Sequence, residues 1–437
     1  MKTLRWLSAE SIHVQFRQFN HTEYKFLANM TPALTRKHLP QTLLALLPFS
    51  LFFPTGIMYA GIVIFIISLL VAGDYSEKWS NIKRSPLSIP AAVLLGIVYF
   101  NAIFLSTENP LRWSALIHYQ VFIFLIFFIS AGGGQWQQRA KTVFLAGAVY
   151  GASVYYLTHL GVMPDWRIFK NYEIYAGNKS IALGIFHAIA AAWLLDTALS
   201  QVNLRKKIIQ LGLYTYIAIA LLLFAMTRTG LLLWFLLSLI VVLRHISFSW
   251  RGALLALSAV VCIAAAWQFS PVARERAAVT MEAIRGFSGG QMGTGQGNRL
   301  QFVQITGEMI LEKPLLGHGV GSWLQQYPQR AIEAKAIETY GMSTPHNDYL
   351  LYAAELGGVG LFALLGLYIV IAVTALKMGA RQGMGLFLIA TTMLVGSLFN
   401  AIVRDWRFGM PMMILLAVTL LSDDDQSALS DQSASEN

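Results

Sequence analysis

An all-α membrane bundle of about twelve spanning helices is the fold this sequence predicts, and three observations predict it. Of its 437 residues 56% are hydrophobic and 12% charged, where roughly a quarter of a soluble domain is charged. The mean hydropathy is +0.56. Apolar runs close to the ~20 residues that cross a bilayer as a helix recur along the chain.

Residues 1–40 form a polar, mixed N-terminal tail with no apolar core ahead of a small-residue cleavage site, unlike a secretory signal. Spans are expected near 41–53, 55–72, 88–106, 113–130, 142–159, 181–199, 208–226, 229–243 and 252–269, so that residues 41–269 hold nine helices. Pro54 cuts the first run short, and a single bent span over 41–72 would move the N-terminus to the other side. A long polar segment follows over 270–345, with helix-forming composition at 272–285 and six glycines between Gly286 and Gly297. An amphipathic helix opens after Asn298 and stops near Pro314, so short surface helices joined by glycine segments are expected, with no separate soluble domain. Three more spans, near 346–375, 383–402 and 406–421, occupy residues 346–421. The acidic, Ser-rich tail over 422–437 has the composition of a disordered segment.

The formal charge of +10 invites a nucleic-acid reading, but its distribution follows membrane topology. With twelve spans and the N-terminus inside, the short inward connections hold Lys78, Lys83, Arg84, Arg139, Lys141, Arg205, Lys206, Lys207, Arg244, Arg251, Lys377 and Arg381. The short outward ones hold Arg112, Arg167, Lys170, Lys179, Arg228 and Arg404, half as many. That bias orients the chain by the positive-inside rule and turns 270–345 outward. Cys262, the single cysteine, sits in an apolar run, so no intrachain disulfide or cysteine metal site is available, and no His/Asp/Glu metal spacing appears.

Chemistry concentrates on the outward side. In Thr344-Pro345-His346-Asn347-Asp348-Tyr349-Leu350 a histidine stands where a polar loop becomes a membrane helix. With Ser343 or Thr344 as cap and Pro345 at the first position, His346 falls in the first helical turn. The positive end of that helix disfavours imidazolium, so His346 is expected to be neutral and able to accept a proton from a sugar hydroxyl. Glu355 is nine residues on, half a turn round and ~13 Å away on a straight helix, so it cannot orient His346 and is expected to bond a neighbouring helix. Arg228, in Met226-Thr227-Arg228-Thr229-Gly230, and Arg299, at the start of the amphipathic helix, read alone as a snorkelling and a solvated arginine. Read together they form a guanidinium pair suited to diphosphate oxygens. Arg167, Lys170, Lys179, Arg404 and Arg407 could widen that anionic cradle, with Asn347 beside the histidine. Pro314-Leu315-Leu316-Gly317-His318-Gly319-Val320-Gly321 lacks the Lys-Ser/Thr of a phosphate loop and reads as a tight turn, with Trp323 as an interface anchor. Acids at membrane depth are scarce, Asp196 near a span end and Glu355 apart, which favours a surface-acting enzyme over an ion-coupled transporter.

These pieces resemble the O-antigen ligase and polymerase superfamily. The match rests on Thr227-Arg228-Thr229-Gly230, on Arg299 through Glu312-Lys313-Pro314-Leu315-Leu316-Gly317-His318-Gly319, and on Pro345-His346-Asn347 with Glu355-Leu356-Gly357-Gly358-Val359-Gly360. The resemblance implies a GT-C-like glycosyltransferase of the bacterial inner membrane with its site facing the periplasm. It implies inverting transfer without metal or other cofactor, from an undecaprenyl-diphosphate-linked glycan to a sugar of lipid A–core oligosaccharide. By carry-over, His346 is the catalytic histidine, and Arg228 and Arg299 are the essential arginines. A polymerase of the same superfamily remains as the alternative: Arg330 and Gly341 fit an R-x10-G spacing, while Arg167 and Gly177 miss it by one residue. A lipid-linked glycan transporter is the alternative of a different class.

Overall fold

The computed structural model describes residues 38–166, 168–172, 178–225, 227–245, 278, 297–336 and 339–420. The predicted span at 252–269, all but one residue of the helix at 272–285, most of the glycine stretch, Arg167, Arg251 and the acidic tail lie outside them. The other predicted spans coincide with helix, the one at 383–402 only as far as Gly396, and the chain is an all-α polytopic membrane protein. Among the described residues seven helices are long and apolar enough to cross a membrane, and three shorter apolar helices, Leu39–Phe52, Met384–Gly396 and Trp406–Thr419, accompany them.

The first run resolves the ambiguity at Pro54. Helix α1 (Leu39–Leu46) tightens into a 3-10 turn over Leu47–Phe52, and Pro54 caps α2 (Thr55–Ala72). The two pack as a hairpin, since a Cβ on Gly61 would meet Leu47 at 2.7 Å. They are two helices, not one bent span. Helix α3 (Tyr75–Arg84) buries none of its residues. Then come α4 (Ser88–Phe100), α5 (Arg112–Ser130), α6 (Gln135–His159), α7 (Asn178–Ser200), α8 (Leu204–Ala220) and α9 (Arg228–His245). Helices α4 and α8 each end in a π turn, Asn101–Leu105 and Leu221–Ala225, a feature frequent beside functional sites. Two helices, α10 (Gly297–Glu312) and α11 (Ser322–Glu333), precede α12 (Asp348–Lys377), α13 (Met384–Gly396) and α14 (Trp406–Thr419).

Chain ends of alternating helices tie together at two opposite faces. At one face Gln41 Nε2 donates to Ala131 O (2.9 Å), Asn81 Nδ2 to Ser130 O (3.1 Å) and Gln137 Nε2 to Ala417 O (2.9 Å). Asp196 joins this face by accepting from Arg244 Nη1 at 2.9 Å, with His245 Nε2 at 3.0 Å. The lysine- and arginine-rich connections collect here.

Helix α7 is the centre of the bundle, 83% buried along its span. Ala182, Ala188, Ala190, Ala191, Ala192 and Gly184 keep its surface small, which lets neighbours approach closely where lipid supplies no hydrophobic drive for helix association. The closest approach is to α9: a Cβ on Gly230 would stand 2.9 Å from the Gly184 Cα. Gly230 therefore belongs to the Thr-Arg-Thr-Gly sequence for packing, and the crossing sets where Arg228 stands.

Helix α12 is two helical segments joined across a kink. Gly357 takes φ 68°, ψ −165°, a conformation essentially restricted to glycine. The freed groups are met by the glycine loop before α11. Gly358 N–H donates to Pro314 O at 2.7 Å and Val359 N–H to Leu315 O at 3.3 Å, while His318 N–H and Gly319 N–H donate to Ala354 O and Glu355 O, both at 2.9 Å. Irregular backbone survives at membrane depth only where protein satisfies it, as here. The loop predicted as a tight turn is thus a plug seated in a broken helix. A Cβ on Gly357 would reach Leu315 O at 2.2 Å, and one on Gly317 would reach Glu355 O at 2.5 Å.

The predicted span 383–402 is shorter than expected. Helix α13 stops at Gly396, and residues 397–405 turn back as a loop although Ala401, Ile402 and Val403 are buried. Hydropathy scores burial, and a buried apolar loop scores like a helix end.

Candidate functional site

That 397–405 loop is the hub of the face opposite the lysine- and arginine-rich connections. The Asp348 side chain, fully buried, accepts from Ser397 Oγ (2.9 Å), Val403 N–H (2.9 Å) and Arg404 N–H (3.2 Å). Asp348 N–H in turn donates to Ser397 O at 3.0 Å. Asn347 Nδ2 donates to Leu398 O (3.1 Å), Asn400 Nδ2 to Thr229 Oγ1 (2.9 Å) and Arg299 Nη2 to Phe399 O (3.3 Å). One nine-residue loop therefore gathers the Arg228 turn, the Arg299 helix and the His346 turn, which are far apart in sequence. Sequence reasoning missed this loop. Its only local signals were the polar residues Ser397, Asn400, Arg404 and Asp405 between two apolar runs.

His346 is not in the helix. Asn347 is the cap, its Oδ1 accepting from Leu350 N–H at 3.0 Å, and α12 begins at Asp348. His346 precedes the cap with a left-handed backbone, φ 51°, and its N–H faces Thr344 Oγ1 at 3.4 Å. An asparagine two residues beyond the proline outcompetes Ser343 and Thr344 because its side chain reaches the third residue ahead from an extended backbone. A left-handed non-glycine residue is strained, and such strain clusters at active sites. The histidine is half-buried, with the Phe302 ring edge-on at 5.9 Å. Its pKa lies below the ordinary value, as expected, but burial is the first cause and the Arg299 charge the second, while Asp405 opposes them.

Arg299 is half-buried, its guanidinium 5.9 Å over the Phe399 ring. Burial and the nearby charge of Arg228 both act against its protonated form. Arg228 is exposed at the start of α9. The structure thus brings Arg228, Arg299 and His346 into one electrostatic neighbourhood, with Asp405 as the carboxylate that acts on the histidine. Asp405 also caps α14, accepting from Arg407 N–H at 2.9 Å.

The wider cradle divides. Arg404 is 6% exposed, its guanidinium 5.1 Å over the Tyr119 ring, pointing into the bundle rather than outward. Lys179 is buried, with Nζ on Leu51 O at 3.3 Å, and feels the charge of exposed Arg407. Lys170 is exposed and pairs with Asp165 at 3.2 Å. Asn347 spends both ends of its side chain on the protein. Arg167 lies outside the described residues.

Helices α10 and α11 are held over this site by a small aromatic core. Trp323 is fully buried, stacked on Tyr327 at 4.3 Å, and donates from Nε1 to Thr306 Oγ1 at 2.9 Å. It is a core residue and not the interface anchor expected, because the fold of α11 onto α10 and α12 covers it together with Phe302, Leu351 and Ala354. Arg330 is engaged by Glu312 in a two-pronged pair at 2.6 and 2.7 Å. Glu355 bonds a neighbouring helix, as expected: Tyr119 OH donates to its Oε2 at 2.6 Å. Among the described residues no three His, Cys, Asp or Glu side chains group as metal ligands.

Residues 213–365 match the family model described as O-antigen ligase. The matched stretch runs from α8 into the second half of α12 and takes in Arg228, Arg299 and His346. No curated protein sequence matches the chain at a significant level.

Proposed function

From a match to the O-antigen ligase family over residues 213–365, consistent with membership of that ligase and polymerase superfamily, we propose that this chain is an O-antigen ligase. It would transfer glycan from undecaprenyl diphosphate to a sugar hydroxyl of lipid A–core, at the periplasmic face of a bacterial inner membrane. The observation that carries the reading is the meeting of Arg299, Arg228 and His346 around the 397–405 loop.

Neutral His346 takes the proton of the acceptor hydroxyl as its oxygen attacks the anomeric carbon. The bond from that carbon to the diphosphate breaks, and its electron pair leaves on the phosphate oxygen. Arg228 and Arg299 bind that diphosphate and offset the charge developing on it, the kind of preorganised contact that contributes most to such steps. Asp405 steadies the imidazolium formed during the step. Attack opposite the leaving group inverts the anomeric centre. No metal enters this scheme, so chelator is expected to leave the rate unchanged. Arg167, Lys170, Lys179, Arg404 and Arg407 then divide between protein contacts and a fringe of positive charge that attracts the anionic donor.

The test is transfer by purified protein from lipid-linked glycan to lipid A–core, without nucleotide. Glycan on lipid A–core that disappears in His346→Ala supports the ligase. Elongation of the lipid-linked glycan instead would mean the polymerase. Unchanged transfer by His346→Ala would remove the histidine from the mechanism, and flipping without transfer would mean a transporter.

A further inference from the structure

The scheme above leaves the buried carboxyl group of Glu355 without a role. Glu355 is 1% exposed inside α12, where an unpaired carboxylate is strongly disfavoured. Three elements distant in sequence meet at it. Tyr119 of α5 donates to Oε2 at 2.6 Å. The backbone N–H groups of Gly321 and Trp323, at the start of α11, face the same carboxylate, as does the Arg404 charge from the hub loop. Arg404 is placed by Tyr119, whose ring lies beneath its guanidinium and whose side chain it hydrogen-bonds, with the Glu355 carboxyl beside it.

Each of these contacts leads on to His346. Trp323 packs 6.1 Å from Phe302, whose ring lies edge-on to His346 at 5.9 Å. The backbone of Arg404 is held by Asp348, and the next residue is Asp405. A well-packed apolar trio would hold these elements together equally firmly, whereas a buried hydrogen-bonded network specifies one arrangement.

The geometry points to Glu355 as the positioning residue of this site, seating α11 and Arg404 so that Phe302 and Asp405 stand against His346. It rests on the reading of His346 as the base. Glu355 touches no reacting atom and acts through the hub loop.

The experiment compares wild type, Glu355→Gln, Tyr119→Phe, Asp405→Asn and the Glu355→Gln/Asp405→Asn double variant. Carbethoxylation of His346 by diethyl pyrocarbonate, followed by peptide mass spectrometry against pH, titrates that histidine without any need for turnover. His346 is faced by Arg299 from α10 and Asp405 from the loop, with Arg228 beyond Arg299. With the carboxylate displaced or neutralised, the Arg299 charge prevails and the His346 midpoint falls. The expected result is a fall in both Glu355→Gln and Asp405→Asn, and no further fall in the double variant than in Asp405→Asn alone. A merely structural Glu355 would leave the midpoint where it is. Transfer by Glu355→Gln should drop on the order of 100-fold, mainly in kcat, as for a ~1 Å misplacement. An unmoved midpoint in Glu355→Gln, or a double variant that shifts by the sum of the singles, would overturn the assignment. If Glu355→Gln does not fold, Tyr119→Phe replaces it with a smaller fall of the same sign expected, and no fall there has the same adverse meaning. Wild type that transfers no glycan while the midpoints move as described would sink the transferase reading and leave the positioning role standing.

Discussion

Asp348→Asn isolates the clamp on which the 397–405 loop depends. Oδ2 takes Ser397 Oγ and Val403 N–H, Oδ1 takes Arg404 N–H, and the Ile402 N–H faces the same carboxyl group. An amide has one oxygen. Placed at the Oδ2 position it keeps two bonds, loses the third, and sets an NH2 group against the Arg404 N–H. A lost hydrogen bond costs about 0.5–1.5 kcal/mol, more to an ionised group, and a buried donor left unsatisfied about 1–3 kcal/mol. Allowing for relaxation of the loop, about 2–4 kcal/mol of local stability should go. At 1.4 kcal/mol per tenfold, this is roughly a 30- to 700-fold faster local opening. Hydrogen exchange in detergent reads it directly at the Val403 and Arg404 amides, with the amides of α7 as an unaffected reference. Transfer should fall as well, because Arg299, Asn347 and Asp405 are all referenced to this loop. Exchange at 403–404 within about threefold of wild type, together with undiminished transfer, would refute the claim that Asp348 holds the hub.

The depressed pKa of His346 predicts a pH profile: the active neutral form persists as pH falls through 6.5, and the acidic limb of kcat/KM lies below that value. An acidic midpoint at or above 6.5 would contradict a base held down by burial and Arg299. Arg228→Lys and Arg299→Lys should each lower transfer by about 10²–10³-fold despite retained charge, since Lys lacks the planar fork; full rates in both would return them to surface arginines. Gly357→Ala must strain φ 68° and drive a Cβ to 2.2 Å from Leu315 O, so thermal unfolding should show a loss of about 2–5 kcal/mol. A loss within about 0.5 kcal/mol, the range of ordinary surface changes, would mean the loop plug is not tightly seated.

The sequence by itself determined the class and much of the plan. Hydropathy located the helices because a bilayer leaves the backbone few alternatives, and the amphipathic stretch after Asn298 placed α10 to within two residues. Residue chemistry singled out Arg228, Arg299 and His346, which the fold then brought together. Tertiary structure alone decided how. Asn347 and not Ser343 or Thr344 caps α12, because capping depends on backbone angles that a string of capping-competent residues leaves open. Gly230 and Gly357 look alike in sequence, yet one permits a helix crossing and the other a helix break, because what a glycine permits is set by what lies opposite it. Residues 397–405 read as a helix end, and Trp323 as an anchor, because hydropathy counts apolar atoms without knowing whether lipid or protein covers them. The partners of Glu355 lie 236 positions away at Tyr119 and across the fold at Arg404, a separation that no local pattern encodes and only packing can close.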